Sequence, residues 1–179
     1  MTNMFNSPAK PFYQSAISMG LEAIPVNTYT DFAVRLFEEY GKHVDREVIE
    51  HVWAKYDGYT WFVQMVMNEL FALTARDELC TMDMVDAALQ NVILSQENSY
   101  KTLLSNLPPR QKMVLQAIAK EGVARNVTSM KFVKQYNLGS ASSVQSAVRL
   151  LLQNDLITQE DGCYRVYDYF FSTWLSEIF

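Results

Sequence analysis

Residues 156–168, LITQEDGCYRVYD, set Asp161-Gly162 between two short runs of alternating character. Asp-Gly readily supplies the pair of positive-φ residues that a two-residue turn needs, so this stretch predicts a tight β-hairpin. Immediately upstream, SASSVQSAVRLLLQND (140–155) puts Val144, Ala147, Val148, Leu151 and Leu152 on one face of a helix behind a serine-rich start. Two further helices are expected before it. PPRQKMVLQAIAKEG points Val114, Leu115 and Ile118 inward and stops at Gly122, and NVTSMKFVKQYNLGS gives a short helix from Ser129 ended by Asn137 to Gly139.

Three helices followed by a hairpin make the winged variant of the helix-turn-helix, with YFFSTWLSEIF returning to helix at the end. The break at NLPPRQ (106–111) separates this unit from what precedes it. Proline disfavours helical geometry in the residue before it, and Pro109 suits the first turn of a new helix. The expected organisation is therefore a helical domain over 1–107 and a winged-helix domain over 108–179, mainly α with one small β-hairpin.

The first part reads as nearly all helix. NTYTDFAVRLFEEYG has Thr28 or Thr30 as cap, Phe32, Leu36 and Phe37 at helical spacing, and Gly41 as its stop. VDREVIEHVWAKYDG aligns Val48, Ile49, Val52, Trp53 and Tyr56 behind a capping Asp45. YTWFVQMVMNELFALTARDE, with Thr60 as cap, is apolar around most of its circumference, as a central helix is. A long helix starting at Thr81 runs to about residue 105, with Asp83 and Asp86 near its positive end. AISMGLEAI (16–24) reads as an extended segment whose pairing partner is not found in this half.

Charge divides the same way. Residues 1–108 hold seven Lys/Arg against fourteen Asp/Glu, and residues 109–179 hold eight against six. Only the second part is a tolerable neighbour for phosphate. No apolar run is long enough for a transmembrane helix, and the N-terminus lacks the basic start and apolar core of a secretory signal. Cys80 and Cys163 lie far apart without neighbouring His or Cys, so no zinc site or disulfide framework is indicated and a reducing cytoplasm is expected.

KPFYQSA near the start, a four-helix acidic block, the LLSNLPPRQKMVLQAIAKEG junction and the SSVQSAVRLLLQNDLI…YRVYDYFFSTWL ending occur in that order. In combination they resemble the C-terminal portion of archaeal-type and Bacteroides-type P-loop ATPases, within the AAA+ and STAND group. The likeness covers essentially the whole chain. It implies a helical lid followed by a winged helix, downstream of a nucleotide-binding α/β domain. MTNMFNSPAKPFYQS resembles the segment leaving the last core strands of that domain. The chain itself has no G-x-x-x-x-G-K-[ST], so it carries no phosphate cradle. ATP and magnesium are implied only where an upstream P-loop domain exists. The family's nucleotide-facing lid position corresponds to Gly58, Tyr59, Thr60 and Trp61, where the Pro or Arg of its motif is missing.

No enzyme is expected from the residues. His43, in a loop, and His51, on a polar helix face, have no matched acid or nucleophile, and paired acids such as Glu38–Glu39 read as solvated faces. The chemistry that remains is binding. A recognition helix enters the major groove with its N-terminal residues, here Ser140, Ser142, Ser143, Gln145, Ser146 and Arg149. Gln and Arg suit adenine and guanine edges, and Lys131, Lys134, Arg125 and Arg165 suit the backbone of double-stranded DNA. The alternative is that Ser140 only caps its helix and the winged helix binds protein. Aromatic residues make up 13% of the chain, clustered at Trp53 to Phe62 and Tyr164 to Trp174. Those not needed for packing would give an aromatic surface for a protein partner or for self-association.

Overall fold

The computed structural model describes residues 22–178. The opening MTNMFNSPAKPFYQS and most of the extended stretch expected at 16–24 therefore lie outside the described residues. Helix α1 (Val26–Glu39) starts directly after Pro25, whose carbonyl accepts from the Tyr29 N–H at 3.0 Å. Neither Thr28 nor Thr30 caps it. Thr30 instead joins Tyr29, Ala33 and Phe37 on the buried face, and Phe32 is 43% exposed. The i, i+4, i+8 stripe from Tyr29 to Phe37 sets the rotation of the helix, and Phe32 falls off it.

A parallel bridge joins β1 (His43–Val44) to β2 (Leu79–Cys80), so His43 belongs to a strand and not to a loop. Between them, α2 (Arg46–Lys55) buries Val48, Ile49 and Val52 completely, although the Asp45 side chain makes no capping bond. In α3 (Thr60–Leu73), Thr60 is the first helical residue and Tyr59 occupies the cap position. Phe62, Val63, Val66, Met67 and Leu70 are buried while Trp61 and Leu73 are exposed, so α3 buries one side only. A 3₁₀ turn (Met82–Met84) leads into α4 (Val85–Asn106), which packs along α3. Among the described residues no helix is long and apolar enough to cross a membrane.

Leu107 is extended ahead of the two prolines, and α5 (Pro109–Glu121) begins on Pro109. The C-terminal part continues through β3 (Ala124–Arg125), α6 (Met130–Gln135), α7 (Ala141–Gln153), β4 (Ile157–Glu160), β5 (Cys163–Val166) and α8 (Tyr169–Glu177). The strands form an antiparallel sheet in the order β3-β5-β4. Asp161 (φ 48°) and Gly162 (φ 74°) close the hairpin, with Glu160 opposite Cys163. These are the dihedrals of the primed turn that suits the twist of paired strands. Strand β3, unforeseen from the sequence, completes the sheet. The fold is mainly α with a winged helix at its C-terminal end.

One apolar core runs through both parts. Leu115, Ile118, Leu138, Leu151, Phe170 and Leu175 are fully buried in the winged helix. Helix α8 then carries the core across to the helical part, packing on both α4 and α5. Tyr56 meets Phe170 at 5.5 Å between ring centroids, and Phe62 meets Tyr169 at 5.0 Å. Tyr100 of α4 meets Phe171 at 5.1 Å and Trp174 at 5.8 Å. Aromatic pairs of this kind contribute about 0.5–1.5 kcal/mol each beyond their buried area. The two aromatic clusters of the sequence thus face each other across one seam.

Candidate nucleic-acid interface

Helix α6 is capped by Ser129, whose hydroxyl accepts from the Phe132 N–H at 3.3 Å. The turn after it needs left-handed backbone at Asn137 (φ 52°) and Gly139 (φ 78°). Between those two, Leu138 drops into the core with no exposure. Its carbonyl accepts from the Arg110 guanidinium at 2.7 Å. The same guanidinium lies under Gly139, where a Cβ would stand 3.2 Å from Arg110 Nη1. The turn is therefore held from α5, and glycine leaves room for the hold.

Helix α7 opens with a reciprocal cap. Ser140 Oγ accepts from the Ser143 N–H at 3.2 Å, and Ser143 Oγ accepts from the Ser140 N–H at 3.3 Å. Ser140 and Ser143 are thus engaged with the helix start, which fixes its direction. Ser142 Oγ lies 3.1 Å from Ser140 Oγ. Ser142, Gln145, Ser146 and Arg149 are exposed at i, i+3, i+4 and i+7, opposite buried Val144, Ala147, Val148 and Leu151. Among the described residues, the side chains of Gln145, Ser146 and Arg149 make no hydrogen bond or ion pair.

Lys131 and Lys134 are exposed on neighbouring α6. From Gly122 to Asn154 the chain holds four cations (Arg125, Lys131, Lys134, Arg149) and no carboxylate. Three of the four, Lys131, Lys134 and Arg149, lie on α6 and α7 themselves.

Arg125 and Arg165 stand elsewhere. The register pairs Arg125 with Cys163 and Thr158 with Arg165, so both arginines lie on one sheet face. Buried Ala124, Ile157 and Val166 line the other face, which packs toward α5 and α7. Arg165 Nη1 lies 3.3 Å from Asp57 Oδ2, and the Tyr169 hydroxyl donates to the same oxygen at 2.8 Å. Burial, and then the Asp57 carboxylate, push the Tyr169 phenol up to about 12. At the start of α8, the Asp168 carboxylate accepts from the Phe170 and Phe171 N–H groups, while burial raises its pKa.

Gly58, Tyr59 and Thr60 sit across from this outer face. With Glu160, Arg165 and Tyr167 they line a cleft of about 670 Å³. Gly58 has φ 70°, and a Cβ there would come within 2.6 Å of the Trp53 ring. Trp61 turns instead to Phe62 and Phe170, at 4.8 and 5.8 Å. Tyr59, Trp61 and Tyr167 remain 56%, 52% and 61% exposed, an aromatic rim at the junction.

Two residues of the arrangement were not singled out by sequence reasoning, Arg110 and Asp57. An arginine just inside a proline-started helix was the only local sign of the first. Asp57 gave none, because its partner is 108 positions away. Residues 98–177 match the family model described as a probable winged helix domain. Comparisons with curated proteins and with solved structures gave no match.

Proposed function

We propose that this chain is a non-catalytic module that binds double-stranded DNA through its winged helix. Ser142, Gln145, Ser146 and Arg149 of α7 face the major groove, and Lys131 and Lys134 of α6 contact phosphates. The observation that carries this reading is the exposed polar stripe of α7, whose Gln145, Ser146 and Arg149 side chains are unengaged among the described residues, beside Lys131 and Lys134 in a segment without a carboxylate. Serine, glutamine and arginine at those positions supply donors and acceptors for base edges, and the lysines supply position. Ser140 and Ser143 form the helix cap that fixes the direction of α7.

The resemblance to AAA+ and STAND P-loop ATPases sets the context. In such a protein this chain is the C-terminal lid and winged helix, working in the cytoplasm, and Gly58 to Trp61, which lack the Pro or Arg of the family's lid motif, serve packing at the start of α3. ATP and magnesium would be bound only where an upstream P-loop domain exists, not by the residues of this chain. The test is duplex binding followed by fluorescence anisotropy. Affinity is expected to fall steeply as salt rises, and Arg149→Ala with Lys134→Ala is expected to lower it further. Equal retention by wild type and double variant at every salt concentration contradicts the reading.

A second reading rests on the exposed Tyr59, Trp61 and Tyr167, which suit a protein partner or self-association. It predicts a self-associated mass in light scattering that Tyr167→Ser and Trp61→Ser reduce.

A further inference from the structure

The wing has its own electrostatic character. From Leu156 to Asp168 it carries one cation, Arg165, and three carboxylates, Glu160, Asp161 and Asp168. A wing of that composition repels a phosphate backbone unless its arginine is available. In this structure Arg165 is paired with Asp57 of the helical part, 3.3 Å away. Asp57 is also held by the Tyr169 hydroxyl, 2.8 Å from the same oxygen.

The two partners of the ion pair are 48% and 57% exposed. Exposed pairs contribute little, on the order of 0–1 kcal/mol, because water and salt screen them. Such a pair exchanges partners readily when a phosphate presents a better-placed anion. The pairing also joins two distant segments, the α2–α3 turn and strand β5, so its state reports how the wing sits on the helical part.

We propose that Asp57 withholds Arg165 from DNA, so that the helical part lowers the affinity of the winged helix until the pair is exchanged for phosphate. This inference rests on the DNA-binding reading above and adds its regulation. DNA contact at Arg165 frees Asp57, and by linkage anything that separates Asp57 from the wing strengthens DNA binding by the same factor. The helical part acts on the interface through one carboxylate, at the wing.

Asp57→Asn tests this. Asp57 has φ 51°, a conformation that asparagine adopts well, and an amide oxygen still accepts from Tyr169, so folding is preserved. Duplex affinity is measured by anisotropy against salt for wild type, Asp57→Asn, Arg165→Ala, the double variant and Arg149→Ala. Asp57→Asn is expected to bind roughly two- to five-fold tighter near 0.1 M salt, the most that an exposed pair can withhold, with a log–log salt slope steeper by about 0.9. The double variant is expected to return to the wild-type affinity, and Arg165→Ala alone to change little. If Asp57→Asn binds as wild type does while Arg149→Ala weakens binding, the inference fails and the DNA reading stands. If the double variant stays as tight as Asp57→Asn, the gain comes only from removing an acid and the inference fails. If no form retains duplex, both fail.

Discussion

The Arg110 guanidinium donates to the Leu138 carbonyl oxygen at 2.7 Å, tying the first helix of the winged part to the turn that aims α7. That carbonyl lies next to Gly139 and the α7 cap, so the bond sets where the polar stripe begins. Arg110→Ala should destabilise the fold by about 1.5–3 kcal/mol, the range for a hydrogen bond with a charged donor. Urea titration measures the loss. Amide exchange at Ser140 to Val144 should quicken more than exchange at Val48 to Val52.

Two glycines with similar backbone should respond differently to alanine. Gly58 and Gly162 have φ 70° and 74°, but a Cβ at Gly58 meets the Trp53 ring at 2.6 Å and one at Gly162 meets nothing within 4 Å. Gly162→Ala should cost only the left-handed strain, about 1–2 kcal/mol. Gly58→Ala carries the same strain plus the clash and should lower the thermal midpoint further. Equal midpoints would show that Trp53 moves aside freely.

Phe170 is fully buried and touches Tyr56, Trp61 and Phe62 of the helical part. Phe170→Ala should cost about 3–5 kcal/mol. Because the seam joins both parts, the slowest-exchanging amides of α3 and of α5 should lose protection together. Loss confined to α5 would mean that the seam transmits little.

The Tyr100 hydroxyl is buried without a partner among the described residues. Burial, and then the Asp168 carboxylate, hold its ionisation above the ordinary phenol value of 10.0. A raised folded-state value means that the folded protein binds the proton more tightly than the unfolded one. The associated stability is complete below pH 10 and declines as pH rises beyond it. Tyr100→Phe should be neutral or stabilising by about 1 kcal/mol at pH 8, since no buried hydroxyl is left unpaired. Its stability should also fall less between pH 8 and pH 11, as read by urea unfolding at each pH.

The hairpin was legible because Asp161-Gly162 sits between alternating runs, and its two positive φ values are a local requirement. Helix ends at Gly41, Pro109 and Gly122 were legible for the same reason, since each is set by one residue's backbone. The α1 phase was misread because Phe32 and Tyr29 are both apolar and only packing decides which turns inward. Strands of two residues, such as β1, β2 and β3, have no period to read. The exposed stripe of α7 followed from its serines, Gln145 and Arg149. The pairing of Arg165 with Asp57 did not, because contact between segments 108 positions apart is a property of the tertiary fold.

Duplex contact through α7 is tested most directly by mapping backbone amide shifts of the ¹⁵N-labelled chain as a short DNA duplex is added. The expected map is centred on Lys131 to Arg149, weakens as salt rises, and leaves α1 and the exposed face of α3 unchanged. A map centred on Tyr59, Trp61 and Tyr167, or one with no change along α7 at low salt, would contradict it.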